Sequence, residues 1–481
     1  MNHLSRLLAV VALSLLPFLG LAQEPAVTVP LPATPGPGDL ITPVNPEPIP
    51  IDEALRGRLR PLGKPARKVI LVILDGLAAS GLTFARALSP RESIELDRFP
   101  VVGRVINKPP RGEVNDSAGA ASALATGYPG PITRVAVDEL GRPRRTILEE
   151  AKARGFKVGL VSDTRLTHAT PAAFGSHVTD RENEPEIARH LMQSGFDLML
   201  SGGLQYFLPA EEGGQQPQGR HLLAEAARAG YTVVKTRADL AQAVSRNAER
   251  VLGLFAPSFL PYTYEPSFRQ GPTLAEMTAA ALATLDRHPQ GFLLMVEAGK
   301  FDPCLHQYDA AELAAQVRES ELALRAIADF VRTRSDALVV VVPDHGTSGL
   351  AIVESFDPEK FRRLATSTRL LADRLAATSP DLAAQLAATF PGLTFTAADL
   401  AFLRGATAKD FPHRLGWMVN RKLGLEFLPY LREFPKGNAY DHTGEDQFLH
   451  ALGAHQGLFG GVMRQWEIPR RLAAAMGFVF P

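Results

Sequence analysis

Six consecutive apolar residues, Val69-Ile70-Leu71-Val72-Ile73-Leu74, constrain this chain more than any other stretch. A strand with one wet face alternates apolar and polar side chains. An unbroken apolar run of this length marks a strand buried on both faces, the signature of a parallel sheet covered by helices on either side. The same character returns at 156–161, 196–200, 251–255, 292–296 and 337–342. Helical patterns separate these runs at 187–193, 222–228, 274–286 and 311–332. Strand, helix, strand in repetition predicts an α/β fold, a three-layer α/β/α sandwich on a mostly parallel central sheet. Such sheets bind ligands at the carboxyl ends of their strands.

The remaining composition sets the frame. With 481 residues, 46% of them apolar, the chain can bury a large core. Its formal net charge is zero, which gives no reason to expect nucleic acid binding or attraction to an anionic membrane. Residues 1–22 read as a signal peptide: Arg6, an apolar run from Leu7 to Leu21, then the small-x-small site Gly20-Leu21-Ala22 before Gln23. That run is short and interrupted by Pro17, so no stable membrane span is expected. Export to the periplasm or the exterior follows. Residues 23–66 read as an extended tether, with nine prolines between Glu24 and Pro50. Cys304 is the single cysteine, so no intrachain disulfide can form. Folding proper is expected over 67–481. Within it, 354–440 reads as a helix-rich insertion, either a cap or a subunit contact.

The strand ends carry ion-ligating side chains. The first apolar run ends in Asp75-Gly76, another in Glu297 followed by Asp302 and His306, a third in Asp344-His345; His442 comes much later. Asp302 and His306 are four apart, so on a helix they share a face and can grip one ion. Pro303 between them suits a first helical position with Asp302 as the cap. Asp344 and His345 can meet one ion only where their strand ends, because neighbours on a strand point opposite ways. Asn115-Asp116-Ser117-Ala118-Gly119-Ala120-Ala121-Ser122-Ala123 places Ser117 at the start of an alanine-rich helix. The free N–H groups and positive dipole end of such a helix suit an anion, phosphate above all.

These segments together resemble the alkaline phosphatases. The likeness rests on Asp116-Ser117-Ala118 running to Ala125-Thr126-Gly127 and on Thr167-His168-Ala169-Thr170-Pro171-Ala172-Ala173-Phe174 with His177 and Arg181. It continues in Val296-Glu297-Ala298 with Asp302 and His306, in Pro343-Asp344-His345-Gly346, and in His442-Thr443-Gly444. The resemblance implies hydrolysis of small phosphate monoesters to alcohol and inorganic phosphate through a phosphoserine intermediate, by a homodimer. It implies one zinc ion at Asp302, His306 and His442, and a second at Asp75, Asp344 and His345 with Ser117 as nucleophile. It implies a third, magnesium-type ion at Asp75, Glu297 and Thr170, beside His168, and Arg181 as the clamp on two phosphate oxygens. A guanidinium fork matches two phosphate oxygens, and a divalent cation makes a serine hydroxyl a competent nucleophile.

Two positions depart from the family. His168 stands where many bacterial relatives carry an aspartate that supports the magnesium site. Pro303 stands where relatives carry a lysine or histidine that reaches phosphate through water. Same-fold phosphodiesterases, which usually carry a threonine nucleophile, and sulfatases, with a modified cysteine, are the alternatives; Ser117 with Arg181 favours a monoesterase.

Overall fold

The computed structural model describes residues 63–112, 114–428 and 442–480. The expected signal peptide and nearly all of the tether lie outside the described residues, as does 429–441.

Ten strands form the main sheet. In chain order they are β1 (Lys68–Leu74), β2 (Val101–Ile106), β3 (Lys157–Arg165), β4 (Leu198–Gly202), β5 (Thr232–Val234), β6 (Val251–Leu254), β7 (Phe292–Ala298) and β8 (Ala337–Pro343). Gln447–Gly453 and Gly461–Arg464 complete it as β13 and β14. Two small ribbons take the numbers between: β9 (Gly346–Thr347) pairs with β12 (His442–Thr443), and β10 (Ala351–Ile352) with β11 (Leu425–Glu426). The spatial order is β14-β2-β13-β8-β1-β7-β3-β4-β6-β5. Only β13 runs against the rest, antiparallel to both β8 and β2. The sheet is therefore mostly parallel, as the apolar runs predict.

Alternation along each strand explains why those runs are apolar throughout. Ile70, Val72 and Leu74 of β1 join one core layer, with Leu294 and Val296 of β7 and Val339 and Val341 of β8. Val69, Leu71 and Ile73 join the other, with Leu293, Met295, Val340 and Val342. The Leu274–Leu285 and Ala310–Arg332 helices cover the first face. The Ser117–Thr126, Ile147–Ala153, Glu184–Ser194 and Ile468–Ala475 helices cover the second. Both faces lie against apolar side chains, so neither tolerates a polar position until the strand ends.

Register sets where polar chemistry appears. Leu74 pairs with Ala298 on one side and with Pro343 on the other, so Asp75 emerges level with Asp344 and two residues beyond the level of Glu297, which pairs with Ile73. Ser162 of β3 pairs with Glu297 itself. Four adjacent strands thus deliver their terminal side chains to one place.

The stretch beyond 354 folds as short helices at Pro358–Arg362, Thr368–Ala372, Leu382–Thr389, Ala397–Arg404 and Phe411–Lys422. Leu382, Leu386, Phe390, Leu403 and Leu415 join the first core layer, so these helices belong to the body of the fold. They dock on the turn that follows His306: Asn420 donates to the Tyr308 carbonyl, and the backbone N–H groups of Thr368 and Arg369 donate to Asp309.

Gly76 is the tightest backbone position at the strand ends. Its φ is +76°, and a Cβ there would lie 2.9 Å from Asp302 Cα and 2.8 Å from Thr347 Oγ1. Gly76→Ala combines left-handed strain with overpacking against backbone, so it should cost about 2–4 kcal/mol. Urea unfolding checks this; an unchanged midpoint would mean the loop can move aside.

Candidate active site

Ser117 is the first residue of the Ser117–Thr126 helix, and Asp116 is its cap. Asp116 Oδ1 accepts from the Gly119 N–H at 2.9 Å, which orients the first turn. Asp116 Oδ2 accepts from the Thr133 N–H at 3.0 Å and from Arg181 Nη1 at 3.2 Å. One carboxylate thus caps the serine helix and anchors the arginine 65 residues away. The sequence marks Asp116 as a cap; its hold on Arg181 has no local signal.

The ligand residues gather into three groups, each with donor atoms within 4.8 Å of one another: Asp302, His306 and His442; Asp75, Asp344 and His345; Asp75, His168 and Glu297. In the first, His306 Nε2 lies 3.2 Å from His442 Nε2 and 3.3 Å from Asp302 Oδ1, and His442 Nε2 lies 3.7 Å from the same oxygen. Tetrahedral zinc with bonds of about 2.05 Å sets its ligands about 3.3 Å apart. In the second, His345 Nε2 is 3.5 Å from both Asp75 Oδ1 and Asp344 Oδ2, and Ser117 Oγ is 3.1 Å from the same nitrogen. The third is looser. His168 Nδ1 lies 3.8 Å from Glu297 Oε1 and 4.0 Å from Asp75 Oδ2. Thr170 Oγ1 donates to Asp75 Oδ2 at 3.3 Å.

All eleven residues singled out in the sequence are therefore adjacent. One local detail differs. The helix bearing Asp302 and His306 spans Phe301–His306 and is capped by Lys300, whose backbone is already helical. Asp302 is an inner residue of the first turn, and Pro303 follows it. The four-residue spacing still puts both ligands on one face.

Orphaned atoms show that these groups fit cations. Asp75 Oδ1, Asp344 Oδ2, Glu297 Oε1 and His168 Nδ1 are buried with no hydrogen-bond partner. Each aims into one of the groups, while the opposite oxygen of each carboxylate is satisfied. Asp344 Oδ1 accepts from the Gly76 and His345 N–H groups at 3.0 and 2.8 Å. Glu297 Oε2 accepts from Ser162 Oγ, and from Thr164 Oγ1 at 2.9 Å. Buried polar atoms are normally paired, so four exceptions converging on the second and third groups call for a counter-charge there, while in the first group the 3.2–3.7 Å spacings carry the fit. Imidazole and carboxylate donors suit zinc at the first two groups; oxygen predominates at the third.

A ring of hydroxyls and amides fixes the ligands, and this ring is what sequence reasoning missed. Thr347 Oγ1 donates to Asp302 Oδ1 at 2.7 Å and lies 3.3 Å from His345 Nδ1, tying the first group to the second. Asn107 and Gln465 donate to the Asp344 carbonyl at 2.6 and 2.8 Å. Ser162, Thr164 and Thr347 sit within or just beyond strands whose ends carry ligands, the one signal that could have found them.

Titration behaviour follows from burial. Asp75 and Asp344 are completely buried, and burial followed by neighbouring carboxylates drives Asp75 well above the ordinary range. Burial pushes Asp344 up to about 8, with Asp302 and Glu297 adding to it. Asp302 moves the other way: burial opposes it, but His306, His442 and His345 hold it well below the usual carboxylate range. Burial pushes His345 down to about 4 and His442 down to about 3, leaving neutral imidazoles with lone pairs to give.

A family model described as alkaline phosphatase matches residues 66–371. The chain is 28% identical over 432 residues to alkaline phosphatase 3 of Bacillus subtilis (strain 168), covering 86% of this chain and 89% of the relative. It is 29% identical over 390 residues to the alkaline phosphatase of Escherichia coli (strain K12), covering 70% and 82%. The crystal structure of a cold-active alkaline phosphatase from the psychrophile Shewanella sp. superposes with a TM-score of 0.74 at 28% identity, covering 85% of this chain and 99% of that one. The Thermus thermophilus alkaline phosphatase shares the fold at a TM-score of 0.76 and 24% identity, covering 90% and 97%.

The raised carboxylates give a signed pH dependence. Without ions, the folded chain holds protons on Asp75 and Asp344 that the unfolded chain releases near pH 4. That contribution to stability is complete below about pH 4 and is lost as pH rises through about 8. Ion binding replaces those protons. Chelation should therefore lower Tm more at about pH 9 than at about pH 5. Calorimetry with and without chelator checks it; an equal drop at both would contradict the buried carboxylate cluster.

Proposed function

The chain belongs to the alkaline phosphatase family of metal-dependent phosphatases acting on phosphate monoesters, and from that premise we propose that it works through a phosphoserine on Ser117. The observation that carries this reading is Ser117 Oγ, at a helix N-terminus and 3.1 Å from His345 Nε2. Zinc at the Asp302–His306–His442 and Asp75–Asp344–His345 groups, with a magnesium-type ion at Asp75, Glu297, Thr170 and His168, would supply Lewis-acid charge to the attacking, leaving and phosphoryl oxygens. Ser117 Oγ attacks phosphorus in line, the ester P–O bond breaks, and the alcohol departs. Water then attacks the same phosphorus, the Ser117 O–P bond breaks, and inorganic phosphate leaves. Arg181, held at Nη1 by Asp116, offers its fork to two phosphoryl oxygens. The first-turn N–H groups of the Ser117 helix add positive potential to the same oxygens.

We further propose that the enzyme is exported, on the strength of the 1–22 segment, and acts as a homodimer. Among the described residues no helix is long and apolar enough to cross a membrane. The helices after 354 are the proposed cap or subunit contact, because they dock on the turn just after His306. Sedimentation of the purified protein decides the oligomer; a monomer at micromolar concentration would refute it.

Ser117→Ala should lower turnover by about 10³-fold or more while leaving ion content intact, because every proposed ligand other than the hydroxyl remains. Acid quenching with labelled substrate should trap phosphate on Ser117 in the wild type; label on another residue would overturn the assignment. Arg181→Lys should cost about 1–3 kcal/mol in kcat/KM for a phosphate monoester, since an ammonium cannot reproduce the fork. Wild-type kinetics in that variant would put Arg181 outside the reaction.

A further inference from the structure

His168 faces two groups at once, and its two nitrogens cannot serve both. Nε2 lies 3.3 Å from Arg181 Nη2. A guanidinium has donors only, so Nε2 must accept, and a neutral imidazole that accepts at Nε2 carries its one proton on Nδ1. Nδ1 is the buried, partnerless atom of the third ion group, turned toward Glu297 Oε1 and Asp75 Oδ2. A cation can be held at Nδ1 only by a lone pair. The proton must then sit on Nε2, where it points at a guanidinium N–H. Two donors cannot bond, so the Arg181 contact breaks when His168 ligates an ion.

The surroundings favour breaking that contact over moving the ring. His168 is 8% exposed, and the Phe259 ring packs edge-on against it with centroids 5.5 Å apart. Arg181 keeps its other hold, Nη1 on Asp116 Oδ2. Only Nη2 is released, and it is released beside Ser117's helix, where an incoming phosphate would lie.

We infer that His168 is a tautomeric link between the third ion group and Arg181. With the group empty, Nε2 holds Arg181 Nη2; with an ion on Nδ1, Nη2 is free for phosphate. Linkage is reciprocal, so bound phosphate raises the affinity of the third ion by the factor that the ion raises the affinity of phosphate. One hydrogen bond to a charged group sets the size at about tenfold. An aspartate at 168 would lack this exclusion, because a carboxylate can give one oxygen to the ion and the other to the arginine.

The inference rests on the third site proposed above, and the test separates the two. Zinc protein carrying two ion equivalents, labelled with 15N in its histidines, is titrated with a third equivalent of zinc or magnesium. Inorganic phosphate affinity is then measured by calorimetry in both forms, for wild type and His168→Asp. The expected result is Nδ1–H at His168 before the third ion and Nε2–H after it. Phosphate binding should tighten about tenfold on ion addition in the wild type and by clearly less in His168→Asp. Absence of a third bound equivalent overturns the third site and this link with it. A third equivalent bound without a change of tautomer, or coupling undiminished in His168→Asp, overturns the link alone.

Discussion

Mutual repulsion among buried carboxylates is the constraint on which the rest of this molecule depends. Asp75, Glu297 and Asp344 are fully buried and Asp302 nearly so, all at the ends of neighbouring strands or in the short helix that follows one. Isolated burial of one carboxylate is already unfavourable, and like charges a few ångströms apart add to it. The fold can hold such a cluster only by protonating it or by filling it with cations. Zero net charge over the whole chain conceals this local excess. The same excess makes the site useful: carboxylates whose repulsion favours bound cations would gather the charge that a phosphoryl group in transit requires.

The parallel sheet is what makes the cluster possible. Antiparallel neighbours would carry their last residues to opposite edges. In β8, β1, β7 and β3 the carboxyl ends coincide, and register places Asp75 beside Asp344 to within one residue. The apolar layers on both faces exclude water up to Leu74, Ala298 and Pro343. Polarity begins at that level, with Asp75 and Asp344 just beyond their strands and Glu297 one residue before the end of β7. That boundary gives the candidate ligands a rigid base, and it places them where Ser162 and Thr164 fix one oxygen of Glu297 and Thr347 fixes one of Asp302.

Much of this was legible in the sequence. Uninterrupted apolar runs announce strands buried on both faces, and the helix 222–228 has the bounds its pattern gives. The candidate ligands Asp75, Glu297, Asp302, His306, Asp344 and His345 stand out as ion-binding residue types recurring together at strand ends, whereas their grouping with His168, Thr170 and His442 comes from the family resemblance. What escaped depends on tertiary pairing. β2, β13 and β14 form the antiparallel-containing edge, where Val102 and Phe448 stay exposed, so their pattern lacks the continuous apolar mark. Lys300 takes the cap position assigned to Asp302 because the helix starts two residues early, which no side-chain rule dictates. Thr347 is an ordinary threonine in sequence. Its hydroxyl matters only because β9 pairs with β12 and brings His442 beside Asp302.

Asp116 shows how far one residue can organise such a site. Its Oδ1 caps the helix that presents Ser117, while its Oδ2 collects the Thr133 N–H and Arg181. The proposed nucleophile and phosphate clamp come from separate segments, yet both are referenced to one carboxylate, so their separation cannot drift independently. His168 extends that reference to the third ion group through the other arm of the same guanidinium. A displacement at Arg181 or Thr133 reaches the Ser117 helix through two hydrogen bonds, and one at His168 through three. The proposed catalytic geometry therefore depends on shared acceptors as well as on the candidate ligands, and Asp116, which belongs to none of the three ion groups, is the acceptor that joins the Ser117 helix to Arg181.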